Sequence, residues 1–234
     1  MKIAVVLPAY NEKGNIGILA RRLQTVFSHL RISYELIVVL DGEDGSKEEL
    51  EALHDPNLRI NYSKERRGVA RALRIGFDAV PKNADYVLTM DADLNHQPEE
   101  LSKFLAAIKQ PGVDIVIGSR RVEGGKMQQT ALKKFISWVA NEVFGALFGL
   151  KVKDITSGYR LMKRKAVEDL KGRLVSTEYE IYPEFLIRAA QQKYGMVEVP
   201  IDFKIRVRGT SKMDMKSAGV KYAKLVFKVL FNQN

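Results

Sequence analysis

The chain has no cysteine among its 234 residues. That excludes a disulfide framework and any thiolate metal site, and it fits a reducing compartment. No run reaches the roughly 18 uncharged apolar residues that a membrane span needs. The N-terminal apolar run Ile3–Leu7 is too short for a signal peptide, and Pro8 is expected to end it. No internal repeat or low-complexity tract appears. Histidine is scarce, with only His29, His54 and His96, and no Ser-His-Asp set can be assembled from them. Surface or packing roles are expected for all three, His96 alone lying near an acidic loop. No RNA- or DNA-binding signature is present, so a basic nucleic-acid-binding protein is the weaker reading of the charge.

Hydrophobic residues make up 46% and charged residues 28% of the chain, ordinary for a globular protein with one sizeable core. The net charge of +10 is unevenly spread. Residues 1–119 hold 15 Lys+Arg against 17 Asp+Glu, whereas residues 120–234 hold 23 against 11. The basic part is suited to an anionic partner: nucleic acid, lipid phosphate or a diphosphate.

Apolar runs and helical periodicity alternate from the start. Strands are expected at 2–7, 36–40, 58–62, 86–89 and 113–118. Helices are expected at 16–30, 47–53 (capped by Ser46), 69–80 and 98–109. The alternation predicts an α/β fold, a mostly parallel sheet flanked by helices. Past residue 118 the pattern changes. A long helical stretch over 129–150 is apolar on more than one stripe, and it suits burial or a membrane interface equally. A short strand follows Asp154–Arg160, then a helix over 182–194, a strand over 197–207 and a basic helical tail over 216–231.

The stretch Met90-Asp91-Ala92-Asp93-Leu94-Asn95 places two carboxylates at the carboxyl end of a strand, where open α/β sheets bind ligands. In extended chain Asp91 and Asp93 would point to one side. Paired hard oxygen donors suit Mg²⁺ or Mn²⁺ holding a substrate diphosphate. A bare D-x-D is more often a capping Asp beside a solvated one before a helix, so the remaining motifs decide.

Those motifs are Pro8-Ala9-Tyr10-Asn11-Glu12, Val39 to Asp41, Met90 to Asn95, Gly118-Ser119-Arg120, Asp154 to Arg160, Glu198-Val199-Pro200-Ile201, and Arg206 to Lys212. In this order the chain resembles the inverting family-2 glycosyltransferases of GT-A (Rossmann-like) fold, most of all the dolichyl-phosphate mannose synthases. The resemblance implies one catalytic domain over 1–234. Residues 1–119 would take nucleotide sugar and metal, and residues 120–234 would face acceptor and membrane. Pro8, Tyr10, Glu12, Val39, Asp41 and Ala92 would line the nucleotide-sugar pocket. Asp91 and Asp93, with Asn95, would hold the metal. Arg120, Arg206 and Lys212 would meet phosphates, with Arg206 also catalytic, and Arg120, Lys133 and Ser137 would meet the acceptor phosphate. Two positions depart from the family pattern: Leu40-Asp41-Gly42-Glu43 replaces Asp-Asp-Gly-Ser, and Asn95 stands where Gln or Ser is common. Glu178, Glu180 and Glu184 lie in a region the family marks with an acidic residue, but no role is assigned to them.

The expected reaction moves mannose from GDP-mannose to a polyprenyl (dolichyl) phosphate. The alternatives are a UDP-glucose donor or a saccharide hydroxyl acceptor. The expected location is cytoplasmic, peripheral on the cytosolic membrane face, with room for a separate membrane-anchoring subunit.

Overall fold

The computed structural model describes residues 1–127, 141–142, 144–205 and 225–226. A seven-stranded sheet runs in the order β3-β2-β1-β4-β7-β5-β8. The strands are β1 (Lys2–Tyr10), β2 (Ser33–Asp41), β3 (Leu58–Ser63), β4 (Tyr86–Thr89), β5 (Ile115–Ser119), β7 (Arg160–Lys163) and β8 (Met196–Pro200). A two-residue β6 (Lys126–Met127) pairs in parallel with β9 (Asp202–Phe203) outside that sheet. The helices are α1 (Ile16–Leu30), α2 (Ser46–Glu51), α3 (Val69–Asp78), α4 (Leu101–Ile108), α5 (Arg164–Lys171) and α6 (Ile181–Gln191).

The alternation of β1 explains the layering. Ile3, Val5 and Leu7 pack with Leu19, Leu23 and Phe27 of α1 and Leu101 and Phe104 of α4. Ala4 and Val6 face Leu73 and Phe77 of α3, Val167 of α5 and Phe185 of α6. Both faces are covered, which is why the strand reads as an unbroken apolar run. Gly76 of α3 sits directly over Val6, where a Cβ would collide with that side chain.

Three sequence expectations are corrected. Pro8 does not end β1. The strand runs on to Tyr10, paired to β2 as far as Tyr10 opposite Asp41. Its other neighbour, β4, ends at Thr89 opposite Val6, so a residue without an N–H sits where one side of the strand is unpaired. Ser46 does not cap α2. Its hydroxyl donates to Asp44 Oδ1 at 2.6 Å and accepts the Glu12 N–H at 3.0 Å. The strand expected over 197–207 is broken at Ile201, whose N–H donates to the Ser119 carbonyl. The chain then leaves the large sheet and pairs with β6 instead. Helix α5 was not foreseen. Its RKAVEDLK sequence buries only Ala166, Val167 and Leu170.

The expected mostly parallel sheet is present, with β7 antiparallel to both its neighbours. This arrangement brings the carboxyl ends of β1, β2, β4, β5 and β8 and the start of β7 to one edge. Most of the helix expected over 129–150 lies outside the described residues, although 141–142 and 144–148 are helical. Also outside them are Lys133, Ser137, Arg206, Lys212 and all but two residues of the expected tail helix.

Candidate active site

Two loops at the sheet edge interlock first. The Lys13 N–H donates to Asp44 Oδ2 at 2.8 Å, and the Gly14 N–H reaches both Glu49 oxygens at 2.8 and 2.9 Å. Glu12, nearly buried, has its amide fixed by Ser46 and accepts from Asn15 Nδ2 at 2.8 Å. Pro8 and Val39 are register partners on β1 and β2, with Val39 fully buried. Tyr10 lies under the Arg66 guanidinium, 5.2 Å from its ring centre. Asp41 at the end of β2 is buried and clasped by Arg67. The Arg67 backbone N–H donates to Oδ2 at 2.6 Å and Nε to Oδ1 at 2.7 Å. The same guanidinium donates to Asn61 Oδ1 at 2.8 Å. A charge-assisted fork of this kind fixes both side chains.

The acidic loop follows β4. Asp91 and Asp93 do not share a side by extension. The chain bends over 92–94, and Leu94 adopts φ 65°, a left-handed conformation that costs energy for a side-chain-bearing residue. Asp91 keeps a third of its side chain exposed. Asp93 is 7% exposed and accepts the Asn95 N–H at 3.1 Å. Ala92 is buried between them. Asn95 Oδ1 is buried and has no hydrogen-bond partner, which costs free energy unless a further group meets it. Among the described residues no three His, Cys, Asp or Glu side chains cluster closely enough to cage an ion. Two carboxylates and an unmet amide oxygen are nevertheless what Mg²⁺ or Mn²⁺ takes when substrate phosphates and water complete its shell, so the donor set fits.

Asp91 is held by Tyr182, which sequence reading did not single out, and by His96, for which it expected only a surface or packing role. Its N–H donates to His96 Nδ1 at 3.2 Å, and its Oδ1 accepts from the Tyr182 hydroxyl at 3.1 Å. His96 is fully buried between the rings of Tyr159 and Phe203, each 5.2 Å away. Burial pushes its pKa down to about 4, with the Arg120 charge lowering it further and Asp93 and Asp154 opposing. The imidazole is therefore neutral at neutral pH, and its 3.8 Å approach to Asp91 Oδ2 is not an ion pair.

Arg120, just past β5, is locked to the buried Asp154. Its N–H and Nε donate to Oδ2 at 2.9 and 2.7 Å and its Nη2 to Oδ1 at 2.7 Å. Burial alone would raise the Asp154 pKa, but the Arg120 charge and hydrogen bonds outweigh it and hold the carboxyl below its ordinary value. The guanidinium lies 5.0 Å from the Phe203 ring centre. One ring thus touches both His96 of the acidic loop and Arg120. Arg120 also lines a cleft of about 880 Å³, rimmed by Arg121, Glu142, Lys151 and Lys153. Glu180 and Glu184, left without a role by the sequence, accept backbone amides of the loop before α6, at Thr177 and at Val175 and Ser176 respectively. Glu178 lies 3.8 Å from Arg66.

Residues 4–171 match the profile of Glycosyl transferase family 2. The chain belongs to this family. Among its members, a polyprenol monophosphomannose synthase of Mycolicibacterium smegmatis is 34% identical over 96% of this chain and 84% of its own length. A dolichol-phosphate mannosyltransferase of Pyrococcus furiosus is 35% identical over 98% of this chain, which spans 64% of that protein. An undecaprenyl-phosphate mannosyltransferase of Micrococcus luteus is 32% identical over 91% of this chain and 88% of its own. The fold is that of a solved glucosyl-3-phosphoglycerate synthase from Mycobacterium tuberculosis bound to Mn²⁺, UDP and phosphoglyceric acid. That structure has a TM-score of 0.71 at 20% identity, over 98% of this chain and 77% of the other. The same enzyme with Mg²⁺ and UDP gives a TM-score of 0.68 at 19% identity, over 98% and 78% of the two chains. Family membership makes the chain a glycosyltransferase of GT-A fold.

Proposed function

We propose that this glycosyltransferase moves mannose from GDP-mannose to a polyprenyl phosphate with inversion at the sugar carbon. One observation carries the reading. Asp91, Asp93 and the unmet Asn95 oxygen share a sheet edge with a cleft rimmed by Arg121, Lys151 and Lys153, in a chain whose relatives bear the names of polyisoprenoid-phosphate mannosyltransferases. The acceptor phosphate oxygen bonds to C1 of the sugar as the bond from C1 to the donor diphosphate breaks, releasing GDP. A phosphate monoester is anionic at neutral pH, so the step needs no general base.

In this reading Asp91, Asp93 and Asn95 hold Mg²⁺ or Mn²⁺, which when bound neutralises charge on the leaving diphosphate. Pro8, Tyr10, Glu12, Val39, Asp41 and Ala92 line the nucleotide-sugar pocket. Arg120, Lys133 and Ser137 meet the acceptor phosphate, and Arg206 and Lys212 contact the diphosphate. The division of one catalytic domain into a donor part (1–119) and an acceptor part (120–234) follows from the charge distribution. The acceptor's lipid tail calls for peripheral membrane contact on the cytosolic face. Among the described residues no helix is long and apolar enough to cross a bilayer, while Leu147 and Ile205 expose 50% and 64% of their surface.

The test is a panel of radiolabelled nucleotide sugars with short polyprenyl phosphates and product extracted into organic solvent. The expected result is label transfer from GDP-mannose that requires the phosphate. Equal transfer to free polyprenol or to a plain sugar, or a preference for UDP-glucose, overturns it.

A further inference from the structure

Asp91 is restrained twice, from elements far apart in sequence. Its backbone is fixed by His96 five residues on, and its carboxylate by Tyr182 in the first turn of α6. The second restraint is a built one. The Tyr182 ring is almost wholly buried, with the Arg160 guanidinium over its face at 5.5 Å. Arg160 is itself buried and donates from Nη2 to the Ile155 carbonyl at 2.8 Å. Gly158 lies against both partners. A Cβ there would stand 2.9 Å from Asp91 Oδ1 and 3.1 Å from two Tyr182 ring atoms. The absence of a side chain at Gly158 is what lets hydroxyl and carboxylate meet. Gly158 is in turn fixed by Thr89 at the end of β4, whose Oγ1 donates to its carbonyl at 2.7 Å.

A tyrosine hydroxyl has one proton to donate, and here it goes to Oδ1. An ionised carboxylate that accepts one such bond keeps lone pairs for a cation. Losing a group that orients a metal-binding side chain from behind typically costs about ten- to hundredfold in metal affinity. We propose that Tyr182, seated on Arg160 and admitted by Gly158, is a positioning residue that aims the Asp91 carboxylate at the cation of the donor diphosphate. This rests on the reading of Asp91 as a metal-holding group. It differs from a merely structural role, in which the hydroxyl finds a partner because buried tyrosines usually do. A structural tyrosine would change stability and leave cation affinity alone.

The test is Mn²⁺ titration followed by electron paramagnetic resonance, in the presence of GDP and without sugar transfer. It compares the full-length wild type with Tyr182→Phe, Gly158→Ala and Asp91→Asn. Tyr182→Phe keeps the ring and its contact with Arg160. It should bind Mn²⁺ about tenfold or more weakly, with the Mn²⁺ activation curve displaced by the same factor. Its kcat at saturating Mn²⁺ and its Tm should stay near the wild-type values. Gly158→Ala keeps the hydroxyl but crowds the carboxylate, and it should weaken Mn²⁺ binding as well. If Tyr182→Phe binds Mn²⁺ like the wild type while Asp91→Asn loses binding, the positioning role is overturned and the metal reading stands. If Asp91→Asn also binds like the wild type, both fall.

Discussion

The amide of Lys204 donates to the carbonyl of Asn95 across 3.0 Å. Gln97 Nε2 donates to the same carbonyl at 3.1 Å. The acidic loop is thereby tied to the chain that leaves β9, two residues before Arg206. Phe203 supplies the side-chain counterpart of this bond by packing on His96. The acidic loop and the chain just past β9 are thus coupled through the backbone.

Asp93→Asn is expected to abolish measurable transfer with little loss of fold. Asp93 is nearly buried and accepts the Asn95 N–H within its own loop, a bond that the remaining oxygen of an isosteric amide can still accept. In the proposed reading Asp93 would hold the cation that neutralises charge on the leaving diphosphate, and losing such stabilisation costs about two to three orders of magnitude in kcat. Sugar-transfer assays beside thermal unfolding check it. Full activity in Asp93→Asn, or wild-type activity undiminished by EDTA, contradicts the role.

Arg67→Ala is expected to loosen the donor side. The guanidinium bridges Asp41 to Asn61 and reaches the Asn61 carbonyl at 3.2 Å. A hydrogen bond to a charged group contributes roughly 1.5–3 kcal/mol. Urea unfolding should show a loss of that order, and the KM for the nucleotide sugar should rise more than kcat falls. Arg67→Lys keeps the charge without the fork and should recover only part of both. Unchanged donor KM in Arg67→Ala would separate Asp41 from donor binding.

Asp154→Asn should be strongly destabilising at neutral pH, by about 3–5 kcal/mol, because it leaves the Arg120 charge without its buried partner. The Asp154 carboxyl titrates below its ordinary value in the fold. Its contribution is therefore complete above the unfolded carboxyl pKa of about 4 and disappears as pH falls through the lower folded value. The stability gap between wild type and variant should stay constant from pH 5 to 8, as a rough working range, and close in acid. A gap that widened on acidification would refute this account of the pair.

The sequence makes the scaffold legible where one period dominates. The strand expected over 86–89 and the helix expected over 16–30 stand at those bounds, because burial on both faces of β4 and on one stripe of α1 leaves little else for such residues to do. It fails where a hydrogen bond from elsewhere in the chain decides. Pro8 looked like a stop, but β2 carries the pairing past it. Ser46 looked like a cap, but Glu12, 34 residues earlier, claims its hydroxyl. The site divides in the same way. Asp91 and Asp93 are singled out by their spacing once the other motifs support it, and Asn95 only through the family resemblance. Tyr182 carries no such signal, because its partner lies 91 positions away and only the sheet brings them together. Arg67 carries no such signal either, because its partner Asp41 lies 26 positions earlier.

Strand β7 has a consequence for the order in which the molecule is made. Among the described residues it alone joins β4 to β5 in the sheet, and β5 otherwise pairs only with β8. A nascent chain that ends before Arg160 can assemble β1 to β4, but it leaves β5 with neither neighbour. The acidic loop also waits on Tyr182 and Lys204. During synthesis these contacts can form only after the distant segments arrive, and pairings of such high sequence separation are the kind that slow folding.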